Sequence, residues 1–372
     1  MFYYVPTPEQ AYGSMLDIEH AVSLGSFMRT LHRWSALAMV AVFFLHLLRV
    51  AAAAAYRGRE LNWLFGIGLF VLTLFLSFTG YLLPWDQRAY WAVAVSANLA
   101  DHLPWVGSAL KGWLLGGPQV GQAALIRFYT LHVFILPAAL LGLMGLHLWR
   151  IRKDGGLARD KNPDEVLLPA WPHLILREGA LLLAVVMAMS LLAMLLSAPL
   201  GAPPDMHNPA NPEKSPWFFL WLQEMVSYSA VMGGLVFPAA LGGLLLSWPW
   251  LERRDGNVGR LFGGRAERIS TLVAVVVAVG AFVLFEALYL GADASSGPMG
   301  LAADLVNPAT GMLALAVLAF VAAGGLARST RAAFLAAFAV LVVALVGFVI
   351  VGLWRGPDWV FYWPWEVWPV VN

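Results

Sequence analysis

The chain contains no cysteine. That excludes disulfides, zinc–thiolate centres, iron–sulfur ligation and thioether-attached haem within this polypeptide. Charge is also scarce. Only 12% of the 372 residues are Asp, Glu, Lys or Arg, about half the usual share of soluble proteins. The net charge is +1, so no acidic or basic excess points to nucleic acid. The N-terminus, MFYYVPTPEQ, has no basic leader and does not read as a signal peptide. What the chain has instead is apolar mass: 60% hydrophobic residues and a mean hydropathy of +0.72. There is too little polar surface to cover such a core in water, and far too much apolar material for disorder. The fold class that remains is an all-α polytopic membrane protein. Seventeen tryptophans suit aromatic belts at the lipid interface.

A helix needs about 20 apolar residues to cross the hydrocarbon core. Eight segments qualify: 29–53, 63–84, 128–149, 176–199, 227–249, 270–291, 309–327 and 333–354, the seventh being the shortest. Most of the 23 basic residues fall in the loops after spans one, three, five and seven. These include Arg57 and Arg59; Arg150, Arg152, Lys153, Arg159, Lys161 and Arg177; Arg253, Arg254, Arg260, Arg265 and Arg268; and Arg328 and Arg331. The positive-inside rule then places these loops in the cytoplasm and both termini outside. An outside N-terminus without a leader is awkward, and an upstream helix on another polypeptide would resolve it. The loops near 85–127 and 200–226 lie on the outer side. Long ordered loops of this kind are commonly functional.

Four of the eight histidines sit inside spans. His32 and His46 lie 14 residues apart on the first span, and His132 and His147 lie 15 apart on the third. In a regular helix these separations are about 21 and 22 Å along the axis, within roughly 40° and 60° of one face. Both spans run from outside to inside. His32 and His132 therefore share the outer level, and His46 and His147 the inner level. Two His–His pairs stacked across a bilayer suit six-coordinate haem iron, which carries electrons and has no open position for substrate. The competing reading is four polar side chains that hydrogen-bond between helices or to water. Matched pairs at matched depth favour the haem. Arg29 and Arg49 stand three residues from a histidine, and Arg127 stands five before His132. All three are candidates to meet haem propionates, with snorkelling cations as the alternative. Gly66 and Gly80, again 14 apart, leave room for a flat macrocycle or a neighbouring helix.

With those residues on the page, the stretch from Phe2 to about Gly156 resembles cytochrome b of the quinol-oxidising cytochrome bc and bf complexes. The matching motifs are RTLHRWSA followed by His46, TGYLLPWDQ at 79–87, and RFYTLH at 127–132 followed by His147. The 15-residue second spacing and the PWDQ form look more like the chloroplast and menaquinol-type branch than the mitochondrial one. The resemblance implies two haems b, an outer one on His32 and His132 and an inner one on His46 and His147, with Gly66 and Gly80 as the haem-packing glycines. Residues 175–250 resemble the family's C-terminal part more loosely. Where the family carries a proline–glutamate–tryptophan–tyrosine motif at the quinol-oxidation site, this chain reads Ser215-Pro216-Trp217-Phe218-Phe219. The motif glutamate, the expected acceptor of a quinol proton, is missing. Pro216, Trp217 and Phe218 are the expected quinone-site residues. Glu224 is the expected catalytic carboxylate, with Glu213 the other near one.

The expected organisation is a di-haem bundle at 1–156, a quinol-site region at 157–250, and additional helices with a tryptophan-rich outer tail at 251–372. The family's first helix has no counterpart here, and there are more helices after the histidine region than the family usually has. The implied function is oxidation of a quinol, menaquinol being one candidate, near the outer face. Electrons would pass through two b haems to a quinone near the cytoplasmic face, with proton translocation. The implied partners are membrane lipid, a Rieske-type iron–sulfur protein and a c-type cytochrome on other chains. The expected assembly is multi-subunit, with a dimer as one form, in a bacterial inner (cytoplasmic) membrane. The alternatives are a di-haem conduit of another respiratory complex without a Rieske partner, and a proton-coupled transporter with buried histidines.

Overall fold

The computed structural model describes residues 3–100, 105–158, 168–209, 211–252, 258–262, 264–291 and 306–368. Arg159, Lys161, Arg253 and Arg254 of the orientation argument lie outside the described residues. Among the described residues, twelve helices account for most of the chain. They are α1 (Ala11–His20), α2 (Gly25–Ala52), α3 (Glu60–Leu82), α4 (Gln87–Ala100), α5 (Gly107–Leu115), α6 (Gln122–Lys153), α7 (Ala170–Leu195), α8 (Trp217–Tyr228), α9 (Met232–Leu251), α10 (Arg265–Gly291), α11 (Pro308–Ala327) and α12 (Thr330–Leu353). Eight of them, α2, α3, α6, α7 and α9 to α12, are long and apolar enough to cross a membrane. These are the eight expected spans, with ends moved by a few residues, and the protein is a multi-pass helical membrane protein.

Proline shapes three of the spans. In α6 the turn Leu131–Ile135 is widened into a π-bulge, with the Leu136 N–H reaching back five residues to the Leu131 carbonyl. Pro137 follows at once. It has no N–H to offer the Val133 carbonyl, so the regular ladder fails there and the wider turn takes over. The same pairing of a wide turn with proline occurs at Met232–Val236 before Pro238 in α9, and around Pro172 in α7.

α12 is the central helix of the second half. It is apolar on all sides, as a helix surrounded by others must be, and 15 of its side chains are buried. Ser329 caps it by accepting from the Ala332 N–H at 3.2 Å. α11 starts on Asn307, whose side chain accepts from the Thr310 N–H at 3.0 Å, with Pro308 in the first turn. Around α12 a single core joins Met225, Tyr228 and Phe237 to Ala278, Phe282, Met312 and Phe348. Packing therefore runs across residue 250 without a break. A second core ties the two halves together. Tyr56, Trp63 and Ile67 meet Leu245, Trp248 and Phe338, and the Trp63 indole donates to the Leu245 carbonyl at 2.7 Å. Between lipid-facing helices such packing and hydrogen bonds supply the association, because lipid removes the hydrophobic drive.

The loops at the Asp86 end of the bundle are knit into one cap. Asp86 accepts from the Ala89 N–H at 2.9 Å, which starts α4, and from the Gly201 N–H at 2.8 Å. Gln87 and Trp91 bond the backbone of Asp205 and Asn208. Trp85 is buried with a positive φ of 51°. The PWDQ segment is thus a corner that binds the 200–208 loop down on the end of α3. At the C-terminus the tail folds back on the bundle through Arg355 and Trp359. Beyond them Trp363 and Trp365 stack in the open, and Lys214 sits over the Trp368 ring.

Candidate functional site

The outer histidine pair assembles from α2 and the π-bulge of α6. The ring centres of His32 and His132 are 6.1 Å apart, with their planes nearly perpendicular. With metal–nitrogen bonds of about 2 Å on each side, this separation matches two imidazoles sharing one metal ion. His132 Nδ1 lies 3.0 Å from the Leu76 carbonyl and 3.3 Å from the Thr79 hydroxyl. The Thr79 proton is already directed at its own helix, at the Phe75 carbonyl. Nδ1–H therefore donates to Leu76, which fixes the tautomer and leaves the Nε2 lone pair for a ligand. Gly80 makes the approach possible: a methyl group there would collide with the His132 ring.

The inner pair opens onto a cavity of about 380 Å³. His46, His147, Gly66, Phe43, Phe70 and Met144 line it. A Cβ on Gly66 would stand 3.6 Å from the His147 ring, in ordinary contact. His147 Nδ1 is buried and makes no hydrogen bond of normal geometry. An apolar slot with two imidazoles and a polar mouth fits a haem: the walls would exclude water and the imidazoles would offer nitrogen ligands to its iron. The 15-residue spacing also finds its reason here. The π-bulge takes up one residue without advancing the turn, so His132 and His147 keep the relation that 14 residues give His32 and His46.

The arginines are arranged differently from expectation. Arg29 pairs with Glu19 at 2.6 Å and also bonds the Ala198 carbonyl. Arg127 donates to the Gly112 and Trp113 carbonyls of the outer loop. Each guanidinium has five N–H donors, so these bonds position the side chain and leave others unused. Arg49 is exposed on the helix surface, whereas Arg59 lines the inner cavity and is steadied by the Asp154 and Gly156 carbonyls. Sequence reasoning counted Arg59 only as a cytoplasmic charge. Its place four residues before Trp63, at the start of α3, was the available signal.

At the Asp86 end of the bundle the Pro216–Phe219 segment lies against α3. Pro216 precedes α8, and the Phe219 ring meets Phe78 at 6.1 Å and Phe218 at 4.8 Å. A small polar cavity of about 90 Å³ adjoins this end of α3, lined by Arg33, Tyr81, Asp86, Arg88, Pro199 and Gly201. Glu213 reaches toward it. Its Oε1 is buried without a hydrogen bond, 3.8 Å from Arg88 Nε. Burial pushes the Glu213 carboxyl up to about 7, Arg88 pulls it back, and Asp86 raises it again.

Glu224 lies on α8, the helix that begins at Trp217. The sequence expectation set it beside a quinone pocket. The structure buries it completely, at 0% exposure, under the C-terminal bundle. Both oxygens are engaged: Arg355 Nε lies at 2.9 and 3.1 Å, the Tyr228 hydroxyl at 2.5 Å and the Trp359 indole at 3.0 Å. Arg355 is 131 residues away in sequence, so no local pattern announces the pair. A carboxylate so held is a structural anchor between α8 and the tail. Arg355→Met should leave Glu224 buried without its cation and cost about 3–5 kcal/mol. Thermal unfolding of the solubilised protein checks this, and an unchanged midpoint would contradict it.

The fold and the paired imidazoles define a class, the multi-pass helical protein with ligand positions stacked between spans. The sequence model of the cytochrome b N-terminal region, b6 and petB matches residues 37–203. Cytochrome b6 of Heliobacterium modesticaldum is 47% identical over 155 residues, 41% of this chain and 73% of that protein. A menaquinol:cytochrome c reductase cytochrome b subunit from Geobacillus thermodenitrificans is 44% identical over 155 residues, 41% of this chain and 69% of the other. The chain belongs to the cytochrome b family. A chain of a hyperthermophilic respiratory Complex III has the same fold, with a TM-score of 0.66 at 23% identity over 93% of this chain and 86% of that one. The fold likeness thus extends through the C-terminal helices, well beyond the stretch of close sequence similarity.

Proposed function

We propose that this chain is the di-haem cytochrome b subunit of a quinol:cytochrome c oxidoreductase, in a multi-subunit complex of a bacterial inner membrane, with both of its termini outside. The observation that carries the reading is the pair of His–His sites, each with a glycine on α3 facing it. His32 and His132 hold the outer haem b, and His46 and His147 the inner one. Arg29 and Arg127 are the propionate partners at the outer level. Arg49 serves at the inner level, joined by Arg59 at the cavity mouth. Bound, the two haems supply a one-electron path between the membrane faces.

The quinol, menaquinol in the relatives named for it, binds at the outer end of α3 against Pro216, Trp217 and Phe218. Proton acceptance there falls to Glu213. Its buried, unbonded oxygen stands 3.8 Å from Arg88, which lines the polar cavity, and its titration near 7 suits a general base. Tyr81, Asp86 and Arg88 line the way out to the outer surface. A quinone near the cytoplasmic face, with Arg49 and Arg177 at that depth, takes up protons inside. Rieske-type and c-type carriers are on other chains, since this one has no cysteine.

The test is quinol-dependent reduction of a c-type cytochrome by the purified complex, with the Rieske protein present and removed. Activity lost on removal supports the reading. Full activity without it favours the di-haem conduit, for which the missing motif glutamate is the specific argument. Gly80 gives a second check. Gly80→Val should lower outer-haem content severalfold and spare the inner haem, because the added side chain collides with the His132 ring. Equal occupancy of both sites in that variant would remove Gly80 from the account.

A further inference from the structure

A buried cluster joins the far end of α8, whose first turn carries the expected quinone-site residues, to the additional helices. It joins Glu224 and Tyr228 of α8, Glu286 of α10 and Arg355 just beyond α12. All four are buried, with exposures of 0, 7, 5 and 6%. The Tyr228 hydroxyl stands 2.5 Å from Glu224 Oε1 and 2.9 and 3.0 Å from the two oxygens of Glu286. A phenol has one proton to donate. Ionised carboxylates only accept. If both were ionised, the phenol could satisfy one and would face the other oxygen to oxygen, a costly arrangement away from water.

Charge counting leads to the same place. Arg355 grips Glu224 through Nε and Nη2 and touches Tyr228 at 3.4 Å. Among the described residues no cation lies within ion-pair distance of Glu286. The elements packed against α10 are α11 and α12. The membrane-depth stretch of α11 carries no titratable residue, and the only one on α12 is Arg331 at its opposite end. Tyr289, one turn along α10, meets the Tyr228 ring edge to face, with centroids 4.8 Å apart. The groups facing Glu286 are therefore Tyr228, Glu224, Arg355 and Tyr289. One cation balances one carboxylate, and the second must be neutral.

We propose that Glu286 holds a proton, and that it donates to Tyr228, which donates to Glu224. The cluster is then neutral, and each carboxyl shares one hydrogen with the phenol. A concerted shift is also open to it. The Glu286 O–H breaks as the Tyr228 oxygen accepts, and the Tyr228 O–H breaks as Glu224 accepts. The tyrosine ends as it began, and the proton has moved from α10 to α8, under the tail that closes over Arg355. The chain therefore carries a proton-holding site that none of the four haem histidines touches.

Infrared difference spectroscopy on the purified complex at neutral pH tests this. Wild type minus Glu286→Gln should show one protonated-carboxyl C=O absorption per chain, moved by exchange into heavy water. The variant's haem spectrum serves as the folding control. Tyr228→Phe, which keeps the ring and removes the acceptor, should shift that absorption and keep its intensity. No carboxyl absorption lost in Glu286→Gln would overturn the proposal. So would a band whose position is unchanged in Tyr228→Phe, an arm that stands if the first variant does not accumulate.

Discussion

His132→Ala removes one of the two b-haem signals from the reduced-minus-oxidised spectrum and leaves the other in place. The expectation follows from how the four imidazoles are held. His32 and His132 face each other across 6.1 Å, with His132 steadied by the Leu76 carbonyl. His46 and His147 line a separate cavity near the other end of the same helices. About 21 Å of helix lies between the two levels, and they share no ligand. Removing one axial ligand leaves its haem with a single protein bond, while the inner slot keeps both of its own. The wide turn at Leu131–Ile135 is fixed by Pro137, so the helix should hold its course without the imidazole. Spectra of the solubilised variant, with haem extracted and counted per chain, measure the outcome. Loss of both signals would mean that the pairing is wrong or that the bundle does not survive.

Glu213→Gln is expected to slow quinol oxidation by about 10²–10⁴-fold, the usual contribution of a general base, with haem content unchanged. The pH dependence gives the sign. Only the ionised carboxylate can accept a proton. With the group titrating near 7, the wild-type rate should rise as pH increases through that value and level off above it. The glutamine variant should lose that rise, and Glu213→Asp should restore part of it. A glutamine variant with an unaltered rate and an unaltered pH profile would take Glu213 out of the reaction. Arg88 is the natural modifier. It lies 3.8 Å away and opposes the effect of burial, so Arg88→Gln should move the rise to higher pH.

The histidine pairs were legible because a helix converts spacing into position: 14 and 15 residues return to one face at opposite depths. The spans were legible because lipid demands long apolar runs. The π-bulge was not, although Pro137 five residues after His132 was the local sign of it. Sequence periodicity assumes a uniform helix, and proline breaks that assumption. The partners of Glu224 were hidden for a different reason. Its nearness to Pro216-Trp217 in sequence suggested nearness to the quinol, but the helix turns it toward Arg355, 131 residues on. Glu213, passed over as the lesser carboxylate, is the one left with a buried, unbonded oxygen. Long-range partners decide which carboxylate is paired and which is available, and those partners are fixed only by the fold.

The central claim is that one chain carries two b haems on four named histidines. Haem b extracted from the purified, sequence-verified protein and counted against polypeptide tests it most directly. The account predicts two per chain, both with the spectrum of bis-histidine low-spin iron. A count of one, or none, in correctly folded protein would contradict it.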